Sequence, residues 1–288
     1  TLADGTGVRT PDHRSIERPH GRGRAHTAPS IFGTILANGT PNASTRMKRT
    51  ILFVLTTVIA LATMAQKHVY EDLLKLYVDE KYEQCLAKAE GYTINDDTKK
   101  DPLPFLYMSM CLYEMSKIEK FTAMEEYKKA DRDAIKYAEK YRKKDKNREF
   151  FDNYGDYWED LNTMGMEKGT NLFDDGEYSK AKQVFDGMVG YYPENSGAWI
   201  YLAMCQYKTN LVKEGDLSMK EFAKARAAQG DIDTLPEDQK KLLRSALIAY
   251  SEFLAKKSMR DSAKSTLEIG SEHFMKDPDF KAAWESAN

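Results

Sequence analysis

Small residues recur in this chain where pairs of helices would have to touch, and that recurrence limits the possible folds more than any other feature. Gly169, Leu172, Gly176, Tyr178, Ala181, Phe185 and Pro193 follow one another at helix-turn-helix spacing, and a new element then opens with Trp199, Leu202 and Ala203. Gly169 and Ala203 stand 34 positions apart. Ser109, Gly169 and Ala203 fall on the first helix of a pair, and Ala181 falls on a second helix facing back. A large side chain at any of these places would push the helix axes beyond the usual separation of roughly 8–10 Å. Phe185 then fills the groove between successive pairs, and Pro193 ends one helix before the next begins.

From Val69 onward the apolar spacing is helical, with no convincing alternation of period two. Turn signals such as Asp79-Glu80-Lys81, Asp174-Asp175-Gly176, Gln229-Gly230-Asp231 and Asp277-Pro278 separate the runs. They predict five helical pairs: 67–79 with 81–92, 103–116 with 119–143, 156–174 with 177–191, 196–209 with 214–229, and 237–257 with 260–274. A short terminal helix is expected over 279–286. Tyr82 and Cys85 fill second-helix slots in the first pair, as Ala263 and Leu267 do in the fifth. Pair four reads as carrying three extra residues near Asn210–Gly215. Gly155, Gly165 and Gly169 each cost up to about 1 kcal/mol against Ala in a helix, so 148–165 reads as a broken helix. Tyr107-Met108-Ser109-Met110-Cys111-Leu112-Tyr113 is echoed by Tyr201-Leu202-Ala203-Met204-Cys205-Gln206-Tyr207, with Tyr, Met, Cys and Tyr identical.

This period and these small residues resemble the tetratricopeptide repeat. The resemblance implies an all-α fold: a right-handed superhelix of about five helix-turn-helix pairs, an α-solenoid, in which each pair buries its apolar face only by stacking on its neighbours. In such arrays the first helices line the concave surface. Mapped onto this chain, the groove positions hold Tyr77, Met110, Tyr113, Phe173, Met204 and Tyr207. Met and Tyr suit adaptable apolar recognition of a protein or peptide partner. The competing reading is that these side chains pack against neighbouring helices as core. The charged residues that clamp a peptide carboxylate in some chaperone-binding members do not recur here. The resemblance thus implies an interaction scaffold and no enzyme.

Near the beginning, Met47-Lys48-Arg49 precedes an apolar stretch from Ile51 to Met64, which ends in Thr63-Met64-Ala65. A basic start, a short apolar core and small residues before a cut are the marks of an export signal over 47–65, with cleavage expected between Ala65 and Gln66. The core falls short of the roughly 20 residues needed to span a bilayer; an uncleaved anchor and a buried helix are the rival readings. Residues 1–46 are rich in Arg, His, Pro and Gly and lack hydrophobic period. They read as an upstream extension outside the native protein, disordered if made, with Met47 as the start. An organelle transit peptide competes with this, weakened by Asp4, Asp12 and Glu17. The expected domain is therefore 66–288, in the periplasm or secreted, with a partner in a bacterial cell envelope and membrane contact only through the signal.

Net charge is −2 overall, but the eight basic and three acidic residues before position 66 leave the remainder more acidic than that. An acidic body argues against nucleic-acid binding, which needs a basic surface. Cys85, Cys111 and Cys205 form no Cys-x-x-Cys pair and read as small buried packing residues. Beyond position 66 there are two histidines, His68 and His273, neither with a ligand neighbour at helical spacing; no cofactor and no metal site are expected. Asp96-Asp97 and Asp174-Asp175 read as turn caps. The mixed run Lys128–Lys146 reads as a solvated helix face, or at 140–148 as a basic end for an acidic partner or lipid headgroups. A rival function is a small-molecule or glycan binder, with tyrosines and Trp158 or Trp199 stacking on the ligand.

Overall fold

A computed structural model describes residues 70–287 of the chain. The upstream extension, the signal segment with its cleavage site, and His68 lie outside the described residues. The described residues cluster as one compact unit. All regular structure among the described residues is helical.

Five pairs run in order. The first is α1 (Glu71–Val78) with α2 (Tyr82–Ile94). The second is α3 (Leu103–Ser116), followed by short α4 (Glu119–Thr122) and α5 (Ala130–Lys144). The third is α6 (Gly155–Asp174) with α7 (Tyr178–Tyr191), the fourth α8 (Ser196–Lys208) with α9 (Val212–Gln229), and the fifth α10 (Glu237–Lys256) with α11 (Arg260–Glu268). Short α12 (Ser271–Phe274) leads to the terminal helix α13 (Pro278–Ala287).

Pairs one, three, four and five turn the same way. Glu80, Gly176, Asn210 and Ser258 all take left-handed φ values of 59°, 78°, 62° and 62°. In each turn the next amide reaches back five residues: Lys81 N–H to Leu76 O, Glu177 to Leu172, Leu211 to Gln206, and Met259 to Leu254, at 2.8–3.0 Å. The preceding amide bonds to the carbonyl of Tyr77, Phe173, Tyr207 or Ala255. These are Schellman closures, which satisfy the last carbonyls of the first helix and reverse the chain within three residues. Counting from the left-handed residue puts the rest in register. Five residues on stand Cys85, Ala181, Gly215 and Ala263, all buried; seven residues back stand Leu73, Gly169, Ala203 and Ser251, of which Leu73, Ala203 and Ser251 are buried to within 3%.

That register corrects the reading of pair four. Its turn carries no extra residues: α9 starts at Val212, and Gly215 occupies the slot that Ala181 fills in pair three. Residues 148–165 do not form one unbroken helix, but the interruption lies ahead of Gly155 and not at Gly165 or Gly169. A 3-10 turn at Phe151–Tyr154 leads into a continuous α6 that runs through Gly165 and Gly169. A Cβ added at Gly165 would lie 2.8 Å from the Met188 sulfur, and one at Gly169 2.6 Å from the tip of the Phe185 ring. The glycines let α7 approach, and the packing gained there offsets their helix propensity cost. The remaining correction concerns 119–143, where two helices replace one. Phe121 and Tyr127, six residues apart, would point away from each other on a straight helix; the intervening turn brings their rings edge-on at 5.9 Å.

Each first helix packs on its own partner, and α2 packs on α3, α7 on α8, and α8 on α10. The second pair breaks the uniform order, because α5 leans on α7, one second helix against another. Gly187 and Gly190 make room for Ile135 and Glu139 of α5. Ala130, Ala134 and Ala138 form the opposite stripe that lets α3 approach α5. Ser109 bridges the seam: its hydroxyl donates to the Ala134 carbonyl at 2.6 Å and lies 2.6 Å from the Tyr157 hydroxyl on α6.

The closest backbone approach is at Gly197, where a Cβ would stand 2.7 Å from the Leu242 carbonyl carbon and the Leu243 nitrogen of α10. Backbone cannot yield as a side-chain tip can. Gly197→Ala should therefore lower unfolding free energy by about 1–3 kcal/mol. Gly91→Ala, at an exposed helical site with nothing within 4 Å, should raise it by about 1 kcal/mol. Urea denaturation of the two variants checks both signs.

Candidate functional site

The six residues mapped to the groove divide into two sets. Met204 is fully buried, and Met110 and Tyr113 are 7% and 8% exposed. Tyr77, Phe173 and Tyr207 keep part of their surface in solvent. The aromatics among them share one role. Tyr77 meets Tyr107 at 6.4 Å between ring centroids, Tyr113 meets Tyr157 at 5.8 Å, Phe173 meets Tyr201 at 5.6 Å, and Tyr207 stacks on Phe253 at 5.9 Å. Each slot aromatic thus touches an aromatic on the next first helix. Tyr77 and Phe173 also meet the turn aromatics Tyr82 and Tyr178 of their own pairs. These rings join pair to pair, and only the edges of Tyr77, Phe173 and Tyr207 are left for a partner.

The residues assigned to helix contact lie as follows. Ala181, Phe185 and Ala203 are fully buried, and Ala263 is buried as well. Phe185 lies flat on Tyr201 at 4.8 Å. Pro193 and Trp199 are half-buried and tied together, since Trp199 Nε1 donates to the Pro193 carbonyl at 2.8 Å. Trp158, one of the stacking residues of the rival glycan reading, is 2% exposed. Its ring packs among Phe151, Tyr141 and Tyr191, and its Nε1 donates to the Phe151 carbonyl. The core takes up this ring, leaving no open face for a ligand.

A concave surface lies elsewhere on the first helices. A cleft of about 750 Å³ runs between α8, α10 and α13, with Tyr201, Arg244, Ala249 and Glu252 among its walls and Asp174 at its rim. A second hollow of about 320 Å³ continues it along α6 past Glu167, Asn171 and Lys241, sharing Arg244 and Ser245 with the first. The floor is polar and ordered: Tyr201 OH and Ser245 Oγ are 2.6 Å apart. Burial pushes the Tyr201 phenol up to about 12, so it stays protonated at neutral pH. Arg244 is held by Asp277 at 2.9 Å, just before α13. Acidic and basic side chains both line the trough. Sequence reasoning missed Arg244, Ser245 and Lys241 because each reads as an ordinary exposed helix residue until α13 folds over.

The charge run 128–146 and the neighbouring Arg148 carry several ion pairs. Lys143 bonds Glu139, Lys168 of α6 reaches Asp131, and Glu194 gathers both Arg142 and Arg148. Asp96 is paired with Lys99, whereas Asp174 stands at the trough. Cys85, Cys111 and Cys205 are all buried, with Cys85 and Cys111 in the core between the first pair and α3. Cys85 Sγ donates to the Leu73 carbonyl at 3.5 Å, while the neighbouring Cys85 thiol and burial push the Cys111 thiol up. His273 stands beside Asp231 and Asp233, a meeting that no sequence spacing announces. No described helix is long and apolar enough to cross a membrane.

No protein-family model matches the chain, and no curated protein matches it. Among solved structures, the C-terminal part of a TPR repeat-containing protein from Cytophaga hutchinsonii is similar to it. That match is 13% identical and covers 75% of this chain and 99% of that one, with a TM-score of 0.28.

Two outcomes follow from these placements. Tyr113→Ala removes a buried ring that joins α3 to α6 and should lower unfolding free energy by about 3 kcal/mol, read by urea denaturation. The second concerns Asp238, 5% exposed and bonded by Asn162 Nδ2 at 2.8 Å, which in turn accepts from Tyr191 OH. Burial holds the Asp238 carboxyl above its ordinary 3.8. The folded state therefore binds more protons than the unfolded state just above that value, and stability falls as pH rises through the window. Asp238→Asn keeps the acceptor for Asn162 and removes the charge. It should gain stability relative to wild type at pH 7 and lose that gain near pH 3.5, as measured by urea midpoints at both.

Proposed function

We propose that this chain is a tetratricopeptide-like interaction scaffold, a right-handed superhelix of helical pairs, exported to a bacterial cell envelope. It holds a segment of a protein partner in the trough along α6, α8 and α10. The observation that carries this reading is the trough itself, a continuous concavity on the first helices. Its walls carry Glu167, Lys241, Arg244, Glu252 and Asp174, charges of both signs, around a Tyr201–Ser245 floor. Its length and mixed charge suit a helical or extended peptide more than a compact ligand. The aromatic ladder beneath keeps the walls at fixed spacing, so the surface is formed before the partner arrives. The export reading rests on the sequence of 47–65 alone.

The test fills the trough. Ala249→Trp places a large ring on its wall, while the fold retains its core. Circular dichroism and melting temperature should match wild type, and capture of a partner from envelope extract should fall at least tenfold. Undiminished capture would sink the trough as the binding surface. In the same cells, the N-terminal residue of the mature protein should be Gln66; a chain retaining 47–65 would overturn the export reading.

A further inference from the structure

His273 of α12 has a side chain 19% exposed, and around it the fold assembles a set of donors drawn from distant parts of the chain. We propose that Asp231, Asp233 and His273 form a zinc(II) site that fastens the entry to α10 to the end of the fifth pair.

The geometry begins at a turn. Asp231 caps the 3-10 turn Ile232–Thr234, its Oδ1 accepting the Asp233 amide at 2.9 Å. The cap turns both carboxylates to one side. His273 arrives from α12 with Nδ1 at 3.2 Å from Asp233 Oδ1 and 3.8 Å from Asp231 Oδ1. One donor atom from each of the three residues lies within 4.8 Å of the others. Zinc bonds of about 2.0–2.2 Å in a tetrahedron place ligand atoms about 3.3–3.6 Å apart, close to the spacing already present.

A second observation concerns the imidazole. His273 Nδ1 is buried yet makes no hydrogen bond within the protein. A buried nitrogen without a partner is costly, and a metal ion between it and the two carboxylates would satisfy it. Charge agrees: two aspartates close together repel, and one dication neutralises both. The donor set selects the ion. An imidazole with two carboxylates suits zinc or a similar first-row dication, whereas magnesium and calcium prefer all-oxygen shells. Asp231 and Asp233 remain mostly in solvent, which leaves the ion an entry path and a fourth position for water. The site is also independent of the trough, so its failure and the failure of the scaffold reading can be told apart.

Calorimetric titration with zinc chloride of the full chain, purified through a tag without histidine, tests the proposal. Residues before position 69 carry other histidines, so the readout is a difference between proteins. Wild type should bind one more equivalent than His273→Ala. Asp231→Asn combined with Asp233→Asn should weaken that equivalent at least tenfold, and a tenfold excess of calcium should not displace it. Zinc should raise the melting temperature of wild type and leave that of His273→Ala unmoved. Equal stoichiometry and affinity in wild type and His273→Ala would overturn the site. Should His273→Ala lose helicity, the doubly substituted aspartate variant decides, since both positions are exposed; unchanged zinc binding there overturns the site as well.

Discussion

Two helices can approach closely only where one of them carries a small residue at the crossing. Gly169 under the Phe185 ring, Gly165 under Met188 and Gly197 against the α10 backbone are three solutions to that single steric constraint. Once the crossing is close, the large residues on either side can meet. Phe185 reaches Tyr201 of the next pair, and Met188 and Leu161 are sealed from water. Burial of that kind supplies the stabilisation that isolated helices of this length lack, because short helices alone are marginal in water.

The aromatic ladder then converts a row of pairs into a surface. Tyr77, Tyr113, Phe173 and Tyr207 each hand a ring to the following first helix. Their rings join pair to pair. The trough itself is bordered by the polar side chains Arg244, Ser245, Glu252 and Lys241. The terminal helix α13 closes one end of the trough, and the Arg244–Asp277 pair holds the approach to it.

Much of the pairing was legible in the spacing of small residues and turn signals, since both express local sterics. Gly176 and Pro193 mark their turn and helix end directly. Three things were not legible. The left-handed turn residue is Gly in pair three but Glu80, Asn210 and Ser258 elsewhere, so the shared closure is hidden behind unlike side chains. Gly187 and Gly190 mark a contact between α5 and α7, but a glycine pair names no partner across 50 residues. The split at 123–129 follows from Phe121 and Tyr127 meeting, a tertiary gain with no Pro or Gly to announce it. At the candidate site, six positions were placed on one surface by family resemblance; burial assigns Met110, Tyr113 and Met204 to the interior. A slot in a repeat fixes direction relative to its own helix, while depth depends on what the neighbours bring.

The lean of α5 onto α7 has a bearing on modularity. Where every junction is alike, a unit can be duplicated or excised and the ends will still fit. Here the seam between the second and third pairs uses Ile135 and Glu139 over Gly187 and Gly190, a fit found at no other junction of the described residues. Copying the third pair would present α7 with a second helix of its own kind, whose surface lacks the matching knobs. The length of this array is thereby locked: it behaves as a single indivisible body assembled from repeating parts, and lengthening it would demand a new joint.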